Sequence, residues 1–367
     1  MTSLELDIKY NRVINEVEED CKELLEEKEQ FLILKVREYW NAVRKFNGKT
    51  RSLVRELQKQ SFPGSQVQTK YEEIYHKLKV IEEFYRTKNV QLTGVYIGIM
   101  NTDKFKGKKN LLLIIDAQKD FVESGGKLFV MGAPEAMKNL CSFIDVNRKL
   151  GVISEILLTR DDHYHTHIGM PCAWLEGNPR HIINNYPITI TAKQVEDGIY
   201  EPRFIQKEVV ISYLKAIEAK GEIHHVWPEH CLHGDVGQQF PEQLMNSLKW
   251  WSEENGGKHF LTLEKGSRDD AEMYSAFSYA DGSMPEHTKS VLNNLAEQNF
   301  DHIFVAGVAK DFCVRSTLQD LTADERFKGK LVLLEDCMAA INTKCQITEK
   351  LWKNLVENFG AEIMRGY

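Results

Sequence analysis

Residues able to do acid–base, nucleophilic or metal chemistry recur where short apolar runs stop. Asp116 closes NLLLIID (110–116), Asp161 and His163 follow VISEILLT (152–159), Lys265 closes HFLTLEK (259–265), and Cys313 comes six residues after DHIFVAG (301–307). Each has an ordinary reading, since an Asp after a strand commonly caps a helix, a Lys is commonly solvated and a Cys commonly fills a core. An acid, a cation, a thiol and an Asp-x-His pair at four strand ends carry more weight together, because ligands of open parallel sheets bind beyond the carboxyl ends of the strands. Cys313 lies in VAGVAKDFCVRSTLQDL, where the apolar run stops at Gly307 and a helix is expected to begin near the thiol. The unpaired N–H groups of a helix start favour thiolate and offer donors to an oxyanion. No His adjoins Cys313 to act as its base, which argues against a papain-like dyad; Asp116 is the candidate proton acceptor, with Lys265 holding its carboxylate ionised.

A second cluster spans TRDDHYHTHIG (159–169) and VWPEHCLHGDVG (226–237). Asp161 and His163, two apart in extended chain, point the same way, and His230 from the downstream segment would complete a three-donor set with positions open to water or substrate. His165, His224, His225 and His233 are assigned to ordinary polar loop.

The elements that must position these groups read as an α/β fold. The four apolar runs above and KLVLLED (330–336), alternating with helical stretches, are the pattern of a parallel sheet covered on both faces. Residues 170–224 interrupt the alternation and read as a large insertion. Upstream, residues 3–47 and 69–88 carry apolar residues at helical spacing around a breaker-rich SFPGSQ (61–66), so residues 1–103 are expected to form a helical hairpin and 104–367 the chemistry-bearing domain.

Composition narrows the function class. With Lys plus Arg 47 and Asp plus Glu 54, the formal charge is −7, which speaks against nucleic-acid binding as the main activity. No run reaches the ~18 apolar residues of a membrane span, and the acidic start lacks signal-peptide character, so a cytoplasmic location is expected. The seven cysteines include no CxxC pair and are expected to be reduced thiols rather than disulfides or a structural zinc site.

In order along the chain, DAQKDF (116–121), the Asp-x-His of DDH (161–163), WPEHCLHGDVG (227–237), EKG…YSAF (264–277) and GVAKDFCV (307–314) resemble the motifs of the isochorismatase-like cysteine hydrolases, nicotinamidases especially. The likeness covers about residues 110–365. It implies a Rossmann-like parallel sheet flanked by helices, a triad of Asp116, Lys265 and Cys313, an oxyanion hole from the N–H groups of Ala309 and Cys313, and a cis Val308–Ala309 peptide. It further implies a divalent metal, zinc before iron or manganese, on Asp161, His163 and His230, with His167 a candidate fourth contact. Phe121 and Trp227 correspond to aromatic walls around a pyridine ring whose nitrogen meets the metal. The implied reaction is hydrolysis of nicotinamide to nicotinate and ammonia, feeding NAD salvage and pyridine nucleotide synthesis.

The chain departs from the family pattern at Asp162, where an aromatic residue is usual, at Lys310, where Thr is usual, and in the length of the insertion. The reaction type survives these changes more readily than the substrate. The alternatives are another small amide or ureido compound as substrate, or a scaffold whose N-terminal helices bind a protein partner or a second copy of the chain. Retention of Asp116, Lys265 and Cys313 together speaks against an inactive domain.

Overall fold

A computed structural model describes residues 103–148, 150–177 and 179–365. Apart from Asp103, the helical hairpin expected over residues 1–103 lies outside the described residues. All five apolar runs form strands: β1 (Asn110–Ile115), β2 (Glu155–Asp161), β8 (Leu261–Lys265), β9 (His302–Val308) and β10 (Leu331–Ala339). With β11 (Glu362–Met364) they make a six-stranded parallel sheet in the order β11-β10-β9-β1-β2-β8. Every residue of β1 is buried, as a central strand covered on both faces requires. From β1 the chain winds outward through β2 to β8, then returns to β9 on the other side of β1. The crevice between β1 and β9 is therefore the point where the strand order reverses, and Asp116 and Cys313 follow those two strands.

One face of the sheet packs against helices Glu286–Glu297, Arg315–Thr322 and Gln346–Glu357 through Leu113, Val305, Leu295, Leu318 and Leu355. On the other face, the helix Ala133–Asn147 buries Leu140, Phe143 and Ile144, and Phe143 meets Phe304 of β9 edge to face at 5.2 Å. Gly307 marks the closest approach of β9 to β1. Its φ is +123°, and a Cβ there would fall 2.0 Å from the Ile115 carbonyl oxygen, so a larger residue would push the two strands apart just ahead of the Cys313 turn.

Between β2 and β8 the chain leaves the sheet and builds a smaller core of its own. Strands β3 (Trp174–Glu176), β4 (His181–Ile182) and β6 (Tyr200–Pro202) form an antiparallel sheet, while β5 (Ile188–Ile190) pairs with β7 (His224–Val226). Trp174, Val195, Leu214, Ile217 and Val226 fill its interior with Met273 from beyond β8, and the Trp174 indole N–H donates to the Ile168 carbonyl at 2.7 Å. Among the described residues, no helix is long and apolar enough to cross a membrane. The described cysteines are all free thiols.

Candidate active site

The turn after β1 does several jobs in six residues. Asp116 takes a left-handed conformation (φ +45°), which aims its buried carboxylate across the sheet edge. Its backbone N–H donates to the Thr159 hydroxyl oxygen at 3.0 Å, and that hydroxyl donates back to Asp116 Oδ1 at 2.5 Å. Gln118 clasps the main chain of Asp161, its Oε1 accepting the Asp161 N–H and its Nε2 donating to the Asp161 carbonyl, both at 2.8 Å. Asp120, also buried, accepts the Cys231 N–H at 2.7 Å and the Lys127 N–H at 3.0 Å. Phe121 packs its ring 5.4 Å from the His230 ring. One short segment thus orients strand β2 and the loop carrying His230. Gln118 and Asp120 escape a reading that seeks nucleophiles and ligands; the available signal is polar residues at alternate positions of a turn otherwise destined for burial.

Lys265, at the end of β8, is the hub. Its fully buried Nζ donates to Asp161 Oδ1 at 2.5 Å and to the Met273 carbonyl at 2.9 Å, lies 2.9 Å from Asp116 Oδ2, and reaches Cys313 Sγ at 3.8 Å. A buried ammonium is tolerable only with compensating charge, and two carboxylates supply it. Burial works against the Lys265 charge, but Asp116 and Asp161 outweigh it and hold the lysine well above its usual range. Burial, reinforced by the Asp161 charge and opposed by Lys265 and Thr159, pushes the Asp116 carboxyl up to about 6. Asp161 goes the other way: Lys265 and His163 overcome its burial and hold it far below the carboxylate range. Burial pushes the Cys313 thiol well up, the Asp116 charge adds to that, and Lys265 opposes it.

Cys313 sits in a single π-helical turn, Lys310–Val314, that passes directly into the helix Arg315–Thr322. The Ala309 carbonyl accepts the N–H groups of both Phe312 and Val314 at 3.1 Å, which tightens the chain around the thiol. The Val308–Ala309 peptide is cis. Thr317 ties this turn to the YSAF segment, its hydroxyl donating to the Cys313 carbonyl at 2.8 Å and accepting the Ala276 N–H at 3.0 Å. Oγ of Ser275 donates to Asp320 at 2.5 Å. The carboxylate oxygens of Asp116 and Asp161 and the Cys313 sulfur all lie within 4.8 Å of one another.

Asp161, His163 and His230 form an adjoining buried trio with donor atoms likewise within 4.8 Å of one another. His163 Nδ1 donates to the Gly266 carbonyl at 2.9 Å and His230 Nδ1 to the Pro228 carbonyl at 2.7 Å. A carbonyl can only accept, so each ring carries a proton on Nδ1, and the two Nε2 atoms are the ones left to face a metal. Burial works against a charge on His163, but the Asp161 carboxylate, 3.7 Å from His163 Nε2, outweighs it and raises His163 above its usual range. Burial and the neighbouring His163 charge lower His230 to about 4, which keeps that imidazole neutral. Gly266 permits the arrangement, since with φ +80° a Cβ there would come 2.5 Å from His163 Cε1. Two imidazoles, one carboxylate and remaining open positions fit a divalent transition metal. The ring of His167 approaches His163 at 4.4 Å, but both its nitrogens are engaged by main chain, Nδ1 accepting the Gly169 N–H at 3.0 Å and Nε2 facing the Ala271 carbonyl at 3.2 Å.

The Trp227 ring lies against Phe312 edge to face at 5.1 Å, stacks on His225 at 5.0 Å, and its N–H donates to the Tyr274 hydroxyl at 3.1 Å. Trp227 thus borders the Cys313 turn and Phe121 borders the metal-type trio, with Phe312, Tyr274 and His225 as aromatic neighbours of Trp227. Of the three departures from the family pattern, the two single residues have partners of their own. The Asp162 carboxylate accepts from Gln238 and pairs with His233 at 2.8 Å. Lys310 pairs with Glu335 and sits 4.6 Å from the centre of the Trp352 ring.

No protein-family model matches the chain. A nicotinamidase of Saccharomyces cerevisiae is 24% identical over 56% of this chain and 78% of the relative, and one of Acinetobacter baylyi is 26% identical over 62% and 80%. A crystal structure of yeast nicotinamidase bound to the inhibitor nicotinaldehyde is 21% identical and superposes on 70% of this chain and 100% of that one, with a TM-score of 0.46.

Proposed function

We propose that this chain, a member of the isochorismatase-like cysteine hydrolase family and a relative of the nicotinamidases, hydrolyses the carboxamide of nicotinamide to nicotinate and ammonia, a step in NAD salvage. The observation that carries the reading is the Lys265 ammonium held between Asp116 and Asp161 with Cys313 Sγ 3.8 Å away, at the reversal of the strand order and beside the Asp161–His163–His230 trio. We propose residues 104–367 as the catalytic unit and residues 1–103 as a region for association with a second copy or another protein.

The thiol is the resting form of Cys313, since burial and the adjacent carboxylates disfavour thiolate. As the substrate carbonyl arrives, Asp116 accepts the thiol proton and the sulfur forms its bond to the carbonyl carbon. The Ala309 and Cys313 N–H groups receive the charge that builds on the oxygen. Asp116 returns its proton to the leaving nitrogen, the C–N bond breaks, and ammonia departs from a thioester. Water, deprotonated by Asp116, then attacks the thioester, releasing nicotinate and restoring the thiol. Lys265 keeps Asp116 and Asp161 ionisable side by side throughout. Asp161, His163 and His230 would hold a divalent ion, zinc in preference to iron or manganese, which would supply Lewis-acid character to a substrate with a ring nitrogen. Phe121 and Trp227 bound the flat ring.

Ammonia release from the purified full-length protein with nicotinamide and with benzamide tests the reading, because benzamide keeps the ring and carboxamide but lacks the ring nitrogen. Strong preference for nicotinamide is expected. Turnover of an aliphatic or ureido amide and of neither aromatic amide would replace the substrate while retaining the role of Cys313. That second reading draws on Asp162, whose carboxylate and polar partners stand where the family has an aromatic residue.

A further inference from the structure

Outside the buried site, three side chains of metal-ligating type converge at the surface. His165 follows β2, Cys172 lies in the 3-10 turn Pro171–Ala173 that opens the insertion, and Glu229 lies in the loop after β7. Their donor atoms fall within 4.8 Å of one another, with His165 exposed and the other two half-buried. His165 Nδ1 lies 2.9 Å from Glu229 Oε1, and the Cys172 thiol faces the His165 carbonyl oxygen. Arg203 anchors the turn, its guanidinium donating to the Cys172 carbonyl at 2.6 Å. The chain between His165 and Cys172 is folded by main-chain bonds, with the Met170 N–H donating to the His167 carbonyl at 2.8 Å and the Ala173 N–H to the Met170 carbonyl at 3.1 Å.

We propose that His165, Cys172 and Glu229 form a second divalent-metal site, of zinc type, at the surface and separate from the Asp161–His163–His230 trio. An imidazole, a thiolate and a carboxylate make the mixed N, S and O set that borderline ions such as zinc take, whereas magnesium and calcium require oxygen-rich shells. Three protein donors leave one position to solvent. Binding displaces the proton of the Cys172 thiol, so the site loads less tightly as the pH falls. Its placement couples it to the buried trio through the main chain: His165 is two residues from His163, and Glu229 precedes His230. An ion here clamps together the two loops that carry the buried imidazoles.

Cobalt(II) reports the site directly, because a thiolate ligand produces a near-ultraviolet charge-transfer band that an Asp-His-His set cannot. The full-length Cys313→Ala protein, stripped by chelator, removes the thiol near the buried trio and serves as parent. Cobalt should generate the band in this parent and in its His230→Ala derivative, and zinc should bleach it. The Cys172→Ser derivative should lose the band and bind one metal equivalent fewer, while Glu229→Gln should weaken zinc binding by about tenfold or more. Circular dichroism matching the parent establishes that each derivative is folded. Absence of the band from the folded parent, or its persistence with unchanged stoichiometry in Cys172→Ser, overturns the proposal.

Discussion

Charges at the carboxyl edge of the parallel sheet and charges on the insertion obey different physics. At the sheet edge the side chains of Lys265, Asp116 and Asp161 are at most 5% exposed, and one ammonium serves two carboxylates. On the insertion, Lys215 pairs with Glu196 at 2.7 Å with side-chain exposures of 60% and 37%, and Arg180 pairs with Glu201 at 3.3 Å with 37% and 52%. Water can replace a partner in the second case and cannot in the first. The buried groups therefore titrate, pair and fail together, whereas the exposed pairs are independent of one another. That interdependence lets Asp116 have a carboxyl near 6 a few ångströms from an Asp161 that stays ionised at any ordinary pH.

The comparison is tested most severely by removing single members of the buried set. Cys313→Ala should lower the rate of ammonia release by at least ~1,000-fold while leaving thermal unfolding nearly unchanged, because it deletes one sulfur from an otherwise intact charge network. Lys265→Met should cost about 3–5 kcal/mol in chemical denaturation, since Asp116 and Asp161 are left buried and uncompensated. Restored stability in Lys265→Met with Asp161→Asn would assign that loss to uncompensated charge; equal instability in the double variant would assign it to packing.

Smaller effects sharpen the contrast. The accepting form of Asp116 is the ionised one, so kcat/KM should fall as the pH drops through about 6, the value to which burial raises this carboxyl. The pH–rate profile of wild type reads this directly, and a flat profile from pH 7 to about 5 would remove Asp116 as the proton acceptor. Phe121→Ala should raise KM by about tenfold through loss of ring contact, with a smaller change in kcat. At the weak end, Lys215→Met on the insertion should shift unfolding by less than about 1 kcal/mol. A loss as large as that of Lys265→Met would erase the distinction between the two regions.

The sheet was legible because burial on both faces demands apolar runs, which β1, β2, β9 and β10 carry, while the edge strand β8 shows only the shorter LTL of LTLEK and buries Leu263 and Lys265 alone. The edge strand β11 was not, since its three residues include two exposed ones and no run forms. Cys313 was expected near a helix start; a π turn intervenes before the helix, created by the Ala309 carbonyl accepting two N–H groups, a local geometry without a hydrophobic period. His165, assigned to ordinary polar loop, meets Cys172 and Glu229 because the insertion folds back toward the loop after β7, a contact invisible to spacing.

By itself, the sequence determined which residue types stand at the strand ends and that the strands would be buried and parallel, because periodicity and composition act over a few residues. Only the tertiary structure decided who meets whom. Lys265 lies 104 positions from Asp161 and 48 from Cys313, and His163 finds its carbonyl acceptor 103 positions away at Gly266. Those meetings depend on the strand order β11-β10-β9-β1-β2-β8 and on the parallel register that sets Asp161 beside Lys265. Hydrophobic patterning makes each strand bury itself but is indifferent to which neighbour it pairs with. The choice belongs to long-range packing and register, and its consequence at the assembled edge is one buried ammonium between two carboxylates.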